Sequence, residues 1–270
     1  MYKERLPKHE KLFIPFIMAG DPTPELTIKL ALLLEEAGAS VLELGVPYSD
    51  PLADGPVIQR ASKRALEQKM SIRKAMGLAG EMRKRGLKIP IILFTYYNPV
   101  LQLGEESFFA LAKENQIDGL LIPDIPFEES VSIRQSCKDN GLTFISLVTP
   151  TSKKRVEAIS KAAEGFLYCI SSLGVTGVRN DFSESLHSFL EEVRELSAVP
   201  AAVGFGISSS KQIEALKDHC DGFVVGSALI QMIENLEAAF KIDEEKTLDE
   251  LKQQVEELIS PLRVQVQKGG

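Results

Sequence analysis

The residue types and spacing that could do chemistry are concentrated between Val41 and Pro56, in the stretch VLELGVPYSDPLADGP. It opens as a strand in which the carboxylate of Glu43 interrupts an apolar run. It then breaks into a loop carrying Asp50 and Asp54 among Pro47, Pro51, Gly55 and Pro56. Side chains alternate faces along a strand, so Val41, Glu43 and Gly45 share one face while Leu42 and Leu44 share the other. An acid on a face otherwise given to hydrophobes must pair, shift its pKa or react, because an unpaired buried carboxylate is costly. A lone glutamate in a strand is ordinarily a solvated one. Here it lies two residues before a Gly-Val-Pro strand exit, where barrel enzymes keep their catalytic groups, and that makes Glu43 a candidate acid-base residue.

Holding such a carboxylate in place needs a scaffold, and the chain has a regular one. Apolar, β-branched runs recur at 13–18, 41–46, 90–96, 119–123, 143–148, 166–170, 201–205 and 223–226, eight in all. Stretches of helical spacing lie between them. In the first, Thr23 can cap, Pro24 suits the first helical position, Leu26, Leu30, Leu33, Leu34 and Ala37 form one stripe, and Gly38 stops it. Ser71 opens a second, with Ile72, Ala75, Met76, Ala79 and Met82 inward and Gly86 closing it. Further helices are expected at about 105–115, 127–139, 152–163, 183–196, 209–218 and 227–236. The KIDEEKT patch at 241–247 is read as an interruption before a final amphipathic helix that runs to about Ile259.

Continuous apolar strands separated by helices indicate a parallel sheet covered on its outer face. Eight such units read as α/β, a single (β/α)8 TIM barrel with extra helices over residues 1–270, the tail VQVQKGG being frayed. The alternative is an open doubly wound sheet, but no GxGxxG follows the first strand and eight repeats are many for that architecture.

Composition excludes several classes. A formal net charge of −7 with no basic stripe argues against a nucleic-acid partner. No run reaches the roughly 18 apolar residues of a membrane span, and the N-terminal MYKERLPKHEKLF lacks an apolar signal core, so a cytoplasmic location is expected. Cys137, Cys169 and Cys220, like His9, His187 and His219, are scattered without CxxC, HxH or HExxH spacing, so reduced core thiols and no metal are expected.

A barrel places phosphate sites after its last two strands. After the seventh run comes Gly204-Phe205-Gly206-Ile207-Ser208, and after the eighth comes Gly226-Ser227-Ala228, each entering a helix. Glycines let backbone N–H groups approach an anion, and the free N–H groups of a helix start attract negative charge. The two motifs together point to a small phosphorylated ligand, although each alone would also suit a tight turn. The long loop from Ser171 to Asp181 after the sixth run reads as a lid or phosphate-contacting loop, with Thr176 and Gly177 as its contacts, or as a plain surface turn. Phe16, Phe94, Tyr96, Ile122 and Tyr168 lie at the ends of different strands and could enclose a flat ring.

LELGVPYSDPLADGP closely resembles the signature of the tryptophan synthase alpha chain family. PFIMAGDP (15–22), YYNP (96–99), PDIPFEES (123–130), LGVTGVR (173–179) and GFGIS (204–208) are similar to family segments in the family's order. The resemblance implies a lyase that splits indole-3-glycerol phosphate into indole and glyceraldehyde 3-phosphate by retro-aldol cleavage, without a cofactor of its own. It further implies that Glu43 and Asp54 are the catalytic carboxylates. Tyr168 would line the reacting centre, Phe16 and Tyr96 the indole side, and Gly177, Gly204, Gly206, Gly226 and Ser227 the phosphate. A beta chain partner in an α2β2 heterotetramer is implied, with pyridoxal phosphate in the beta chain only. The chain departs from the pattern at Ser172, where many relatives carry Arg. The other readings are a different phosphate-binding barrel isomerase or synthase, or a mainly regulatory subunit.

Overall fold

The computed structural model describes residues 11–150, 153–170, 184–204 and 206–263. Its strands are β1 (Leu12–Met18), β2 (Leu42–Gly45), β3 (Ile91–Phe94), β4 (Gly119–Leu121), β5 (Thr143–Phe144), β6 (Ser146–Val148), β7 (Leu167–Ile170), β8 (Ala201–Gly204) and β9 (Gly222–Val225). They form one ladder, in the order β5-β4-β3-β2-β1-β9-β8-β7-β6, and every described pairing is parallel. The two outermost strands of that order are halves of one run, divided only by the buried Ile145. The fifth expected strand therefore pairs with β4 through its first half and with β7 through its second, which brings the sheet round into a nearly closed barrel.

The barrel's two faces follow from strand alternation. Leu12, Ile14, Val41, Ile92, Phe166 and Val224 belong to the cluster inside the barrel, whereas Phe13, Leu42, Leu44 and Ile91 pack outward under the helices. Phe16 on β1 stands opposite Glu43 on β2 in the register. Both continue the inward-facing parity, one layer above Ile14 and Val41, toward the mouth where the strands end.

The helices are α1 (Pro24–Glu36), α2 (Pro56–Glu67), α3 (Ile72–Lys84), α4 (Tyr97–Leu103), α5 (Glu105–Glu114), α6 (Val131–Asp139), α7 (Lys153–Ala162), α8 (Glu184–Leu196), α9 (Ser210–Leu216), α10 (Ser227–Asn235), α11 (Glu237–Phe240) and α12 (Glu244–Leu258). Caps fall where the residue types place them: Thr23 Oγ1 accepts the Leu26 N–H at 3.1 Å and Ser71 Oγ that of Lys74 at 3.4 Å. Helices α2 and α4 form in stretches to which the sequence reading assigned no element, as extra helices of the barrel. Two expectations are corrected. Helix α6 begins at Val131 rather than 127, because Phe127–Ser130 is spent on a turn in which the Ser130 N–H bonds back to Pro126 O at 3.0 Å. The KIDEEKT patch interrupts only over 241–243: Asp243 Oδ1 then caps α12 by accepting the Lys246 N–H at 3.2 Å, and Glu244 and Glu245 sit in its first turn, where acids favour a helix.

Candidate active site

Glu43 is 1 % exposed, and its Oε1 has no hydrogen-bond partner. Burial alone pushes its carboxyl from the ordinary 4.5 up to about 8, so at neutral pH the group holds its proton in an apolar surround. A protonated, unpartnered carboxyl facing the inside of a barrel has no structural task that a hydrophobe would not do better. It is equipped to give up a proton and take one back.

Asp54 sits in the loop after β2, partly buried. Burial pushes its carboxyl up to about 6, opposed by a hydrogen bond from the Tyr96 side chain. The same Tyr96 hydroxyl accepts the Ala53 N–H at 2.9 Å, so one phenol secures two consecutive residues of the loop. Tyr48 supports it from behind, its ring centroid 5.2 Å from that of Tyr96 and its hydroxyl accepting from Asn98 Nδ2 at 3.0 Å. Tyr168, on β7, is 6 % exposed; burial raises its hydroxyl pKa well above the ordinary value, and the charges of Glu43 and Asp54 add to the rise. The Tyr168 phenol, on a third element, thus lies within electrostatic reach of both carboxyl groups.

The aromatic expectation divides. Phe16 and Phe94 meet edge to face at 5.4 Å between centroids, and Gly45 makes room for Phe16, since a Cβ there would collide with its ring. Phe94 also lines a cavity of about 290 Å³ at the barrel mouth with Ala53, Pro123, Asp124, Leu147 and Ile170. Its wall is mainly apolar and adjoins the Asp54 loop, which suits a flat ring. Ile122 is buried within the outer core instead.

At the proposed anion end, α10 starts at the exposed Ser227 with Gly226 as its N-cap and no side-chain hydrogen bond capping it, the kind of helix start that suits an anion. Gly206 is exposed with φ +84°, a backbone that favours glycine whatever the space around it. Gly204 is different in kind. It is buried, and a Cβ on it would run into the Tyr168 ring, so packing under the phenol already accounts for the glycine. Thr176 and Gly177, with the rest of the 171–181 loop and Ser172, lie outside the described residues.

Residues 2–260 match the sequence family described as Tryptophan synthase alpha chain. The chain is 62% identical over 254 residues to a Geobacillus tryptophan synthase alpha chain, covering 93% of this chain and 97% of that one. It is 63% identical over 236 residues to the Bacillus subtilis tryptophan synthase alpha chain, covering 87% and 88%. The chain belongs to the tryptophan synthase alpha chain family. Among solved structures, the tryptophan synthase subunit alpha of Legionella pneumophila superposes with a TM-score of 0.83 at 34% identity, over 93% of this chain and 92% of that one. A chain of the tryptophan synthase α2β2 complex from the hyperthermophile Pyrococcus furiosus gives 0.82 at 33%, over 93% and 99%. Within this alpha chain fold, sequence reasoning missed Tyr48 and the Ala53 N–H, which together with Tyr96 hold the Asp54 loop. Their partners are more than 40 positions apart in the chain, and no local pattern joins them. No helix among the described residues is long and apolar enough to cross a membrane, and among those residues no group of three or more His, Cys, Asp or Glu could hold a metal ion.

Proposed function

We propose that this chain performs the alpha reaction of tryptophan biosynthesis, cleaving indole-3-glycerol phosphate to indole and glyceraldehyde 3-phosphate, with Glu43 as the acid-base group. The observation that carries the residue assignment is the buried, unpartnered Glu43 carboxyl with its pKa pushed up to about 8. The reaction needs a proton delivered to the ring carbon that bears the side chain. That addition leaves positive charge shared with the ring nitrogen, whose N–H then needs an anionic acceptor. Removing the proton from the adjacent carbinol oxygen forms the aldehyde, and the electrons of the broken carbon–carbon bond return to the ring and neutralise it. Glu43 supplies the first proton and, now ionised, takes the second, so it ends as it began. Asp54, largely ionised at neutral pH, receives the ring N–H, and Tyr96 orients it. Tyr168 and Phe16 bound the reacting centre, while the start of α10 at Gly226 and Ser227, with Gly206, receives the phosphate. The chain's own residues account for each proton, and pyridoxal phosphate belongs to the reading only as a cofactor of the partner.

The partner is a beta chain, as the α2β2 assembly of the Pyrococcus relative suggests. Its docking surface is the mouth, where the loops 47–54 and 126–129 present rigid prolines and acids, with Leu52 82% and Val131 64% exposed beside them. A cytoplasmic biosynthetic setting follows from the same reading. The test is direct: the isolated chain is mixed with indole-3-glycerol phosphate and released indole is measured. Wild-type chain that releases none, or turns over only other sugar phosphates, would overturn the assignment.

A further inference from the structure

Helix α2 follows Asp54 directly, with Gly55 as its N-cap and Pro56 in its first turn, so the placement of this helix sets where the carboxylate-bearing loop returns to the barrel. Its apolar hold is thinner than that of α1: Ala61, Ser62 and Ala65 are buried and Val57 and Ile58 pack half-buried against the core, against seven buried residues in α1 that include Leu26, Ile28, Leu30, Leu33 and Leu34. Polar attachments supply what packing does not. Ser62 Oγ accepts the Tyr48 N–H at 2.9 Å and donates to the Tyr48 carbonyl at 3.0 Å, pinning the other end of the same loop. Arg64 donates twice to the buried Asp21 in the loop after β1, Nε to Oδ1 at 2.6 Å and Nη2 to Oδ2 at 2.9 Å.

The third attachment reaches the anion end. Glu234, on α10, accepts from Arg64 Nη1 at 2.7 Å and from Arg60 Nε and Nη2 at 2.8 and 2.7 Å. Gln231 donates to the same carboxylate at 3.0 Å. Glu234 lies seven positions after Ser227, hence about 10 Å along the helix at roughly 1.5 Å per residue. Exposed single ion pairs contribute little. This one is a forked, charge-assisted network whose Arg64 and Glu234 side chains are only 20% exposed, and such geometry fixes direction as well as distance. The Arg60 and Arg64 bonds hold the Glu234 carboxyl down to about 2, so this carboxylate stays charged wherever the enzyme would be assayed.

We infer that Arg64 and Glu234 are positioning residues: their ion pair, seated on Asp21, sets the span between the Asp54 carboxylate and the phosphate-binding start of α10. The inference rests on the roles given to Asp54 and Ser227 above. A substrate whose ring and phosphate are joined by three carbons has a limited reach, and both ends must be met at once. A displacement of about 1 Å in such a site can cost on the order of a hundredfold in rate.

The test uses the full chain with Glu234→Gln and Arg64→Lys, which keep size or charge but lose the fork. The expected result is a roughly 10- to 100-fold fall in kcat for indole release. Affinity for inorganic phosphate and glycerol phosphate should stay within about threefold of wild type, since the start of α10 is intact, and far-ultraviolet circular dichroism and Tm should stay close to wild type. In an Asp54→Asn background, adding Glu234→Gln should cost less than about twofold more under single-turnover conditions, because the group it positions has already been lost. Wild-type kcat in Glu234→Gln, or losses that multiply with those of Asp54→Asn, or a loss explained by a fall in Tm, would overturn the inference. Should Arg64→Lys fail to fold, Glu234→Gln decides alone. A wild-type chain that makes no indole would instead overturn the underlying function.

Discussion

At the residue scale, two carboxyl groups have been separated by their surroundings. Glu43 titrates near 8 because nothing replaces the water it lost, and Asp54 near 6 because Tyr96 partly compensates its burial. Catalysis by the proposed route needs Glu43 protonated and Asp54 ionised. The dependence of kcat/KM on pH should therefore be a bell with limbs near 6 and 8, and Asp54→Asn should remove the acidic limb from whatever activity remains. A profile flat from pH 5 to 9 would contradict both roles. Glu43→Gln should lower kcat by about two to four orders of magnitude. It should also stabilise the fold. Between the ordinary 4.5 and the folded value of about 8, the native chain binds more protons than the unfolded one, so Glu43's contribution is greatest in acid and is lost as pH rises through that window. The loss is about 3 kcal/mol by pH 7. The Tm advantage of Glu43→Gln over wild type should grow from pH 5 to pH 8, and an equal offset at both would refute the linkage. Glu43 was legible in the sequence because a lone acid breaks an apolar alternation, which is a local signal. The Tyr96–Asp54 bond was not, since Tyr96 looks like any strand-end aromatic until the loop folds over it.

At the scale of elements, the apolar runs located every strand to within two or three residues, because a buried parallel strand is apolar on both faces and stands out from amphipathic helices. Helix α2 escaped for the opposite reason. Its stripe of Val57, Ile58, Ala61 and Ala65 is short, with the bulky members only half-buried, and ion pairs that no spacing rule reveals add to its hold. The division of Thr143–Val148 into β5 and β6 was equally invisible, since one continuous run serves two neighbours. The glycine motifs were legible as turns before helices, but only the packed structure separates Gly204, confined by the Tyr168 ring, from the exposed Gly206 and the open start of α10. The phosphate role proposed above falls to that helix start. Ser227→Ala removes one hydroxyl without touching the backbone donors, and should weaken binding of glycerol phosphate by roughly tenfold, the worth of a hydrogen bond to a charged group. Titration by calorimetry would show it, and unchanged affinity would take Ser227 out of the site.

At the scale of the whole molecule, the mouth carries both the chemistry and the surface proposed for a beta chain. A partner that touches the 47–54 loop would favour one arrangement of Asp54 over others, so cleavage should speed up on complex formation, by a factor set by the partner's preference for that arrangement. Indole release measured with and without beta chain, in wild type and Asp50→Ala, checks this: no activation of wild type, or full activation of a variant shown to dock weakly, would rule it out. The ring itself closes at one seam. There the chain passes from one neighbour to the other across Ile145, so each half of the run pairs on one side only, through two residue pairs to β4 and three to β7. A closed barrel hides every strand edge, but a ring opened at this seam bares two at once, each a template for pairing with another chain. Resistance to aggregation in this protein is then a property of six consecutive residues. Amide protons of 143–148 should exchange ahead of those in β1 and β9, and light scattering should rise at denaturant concentrations that loosen the seam while most helical signal remains.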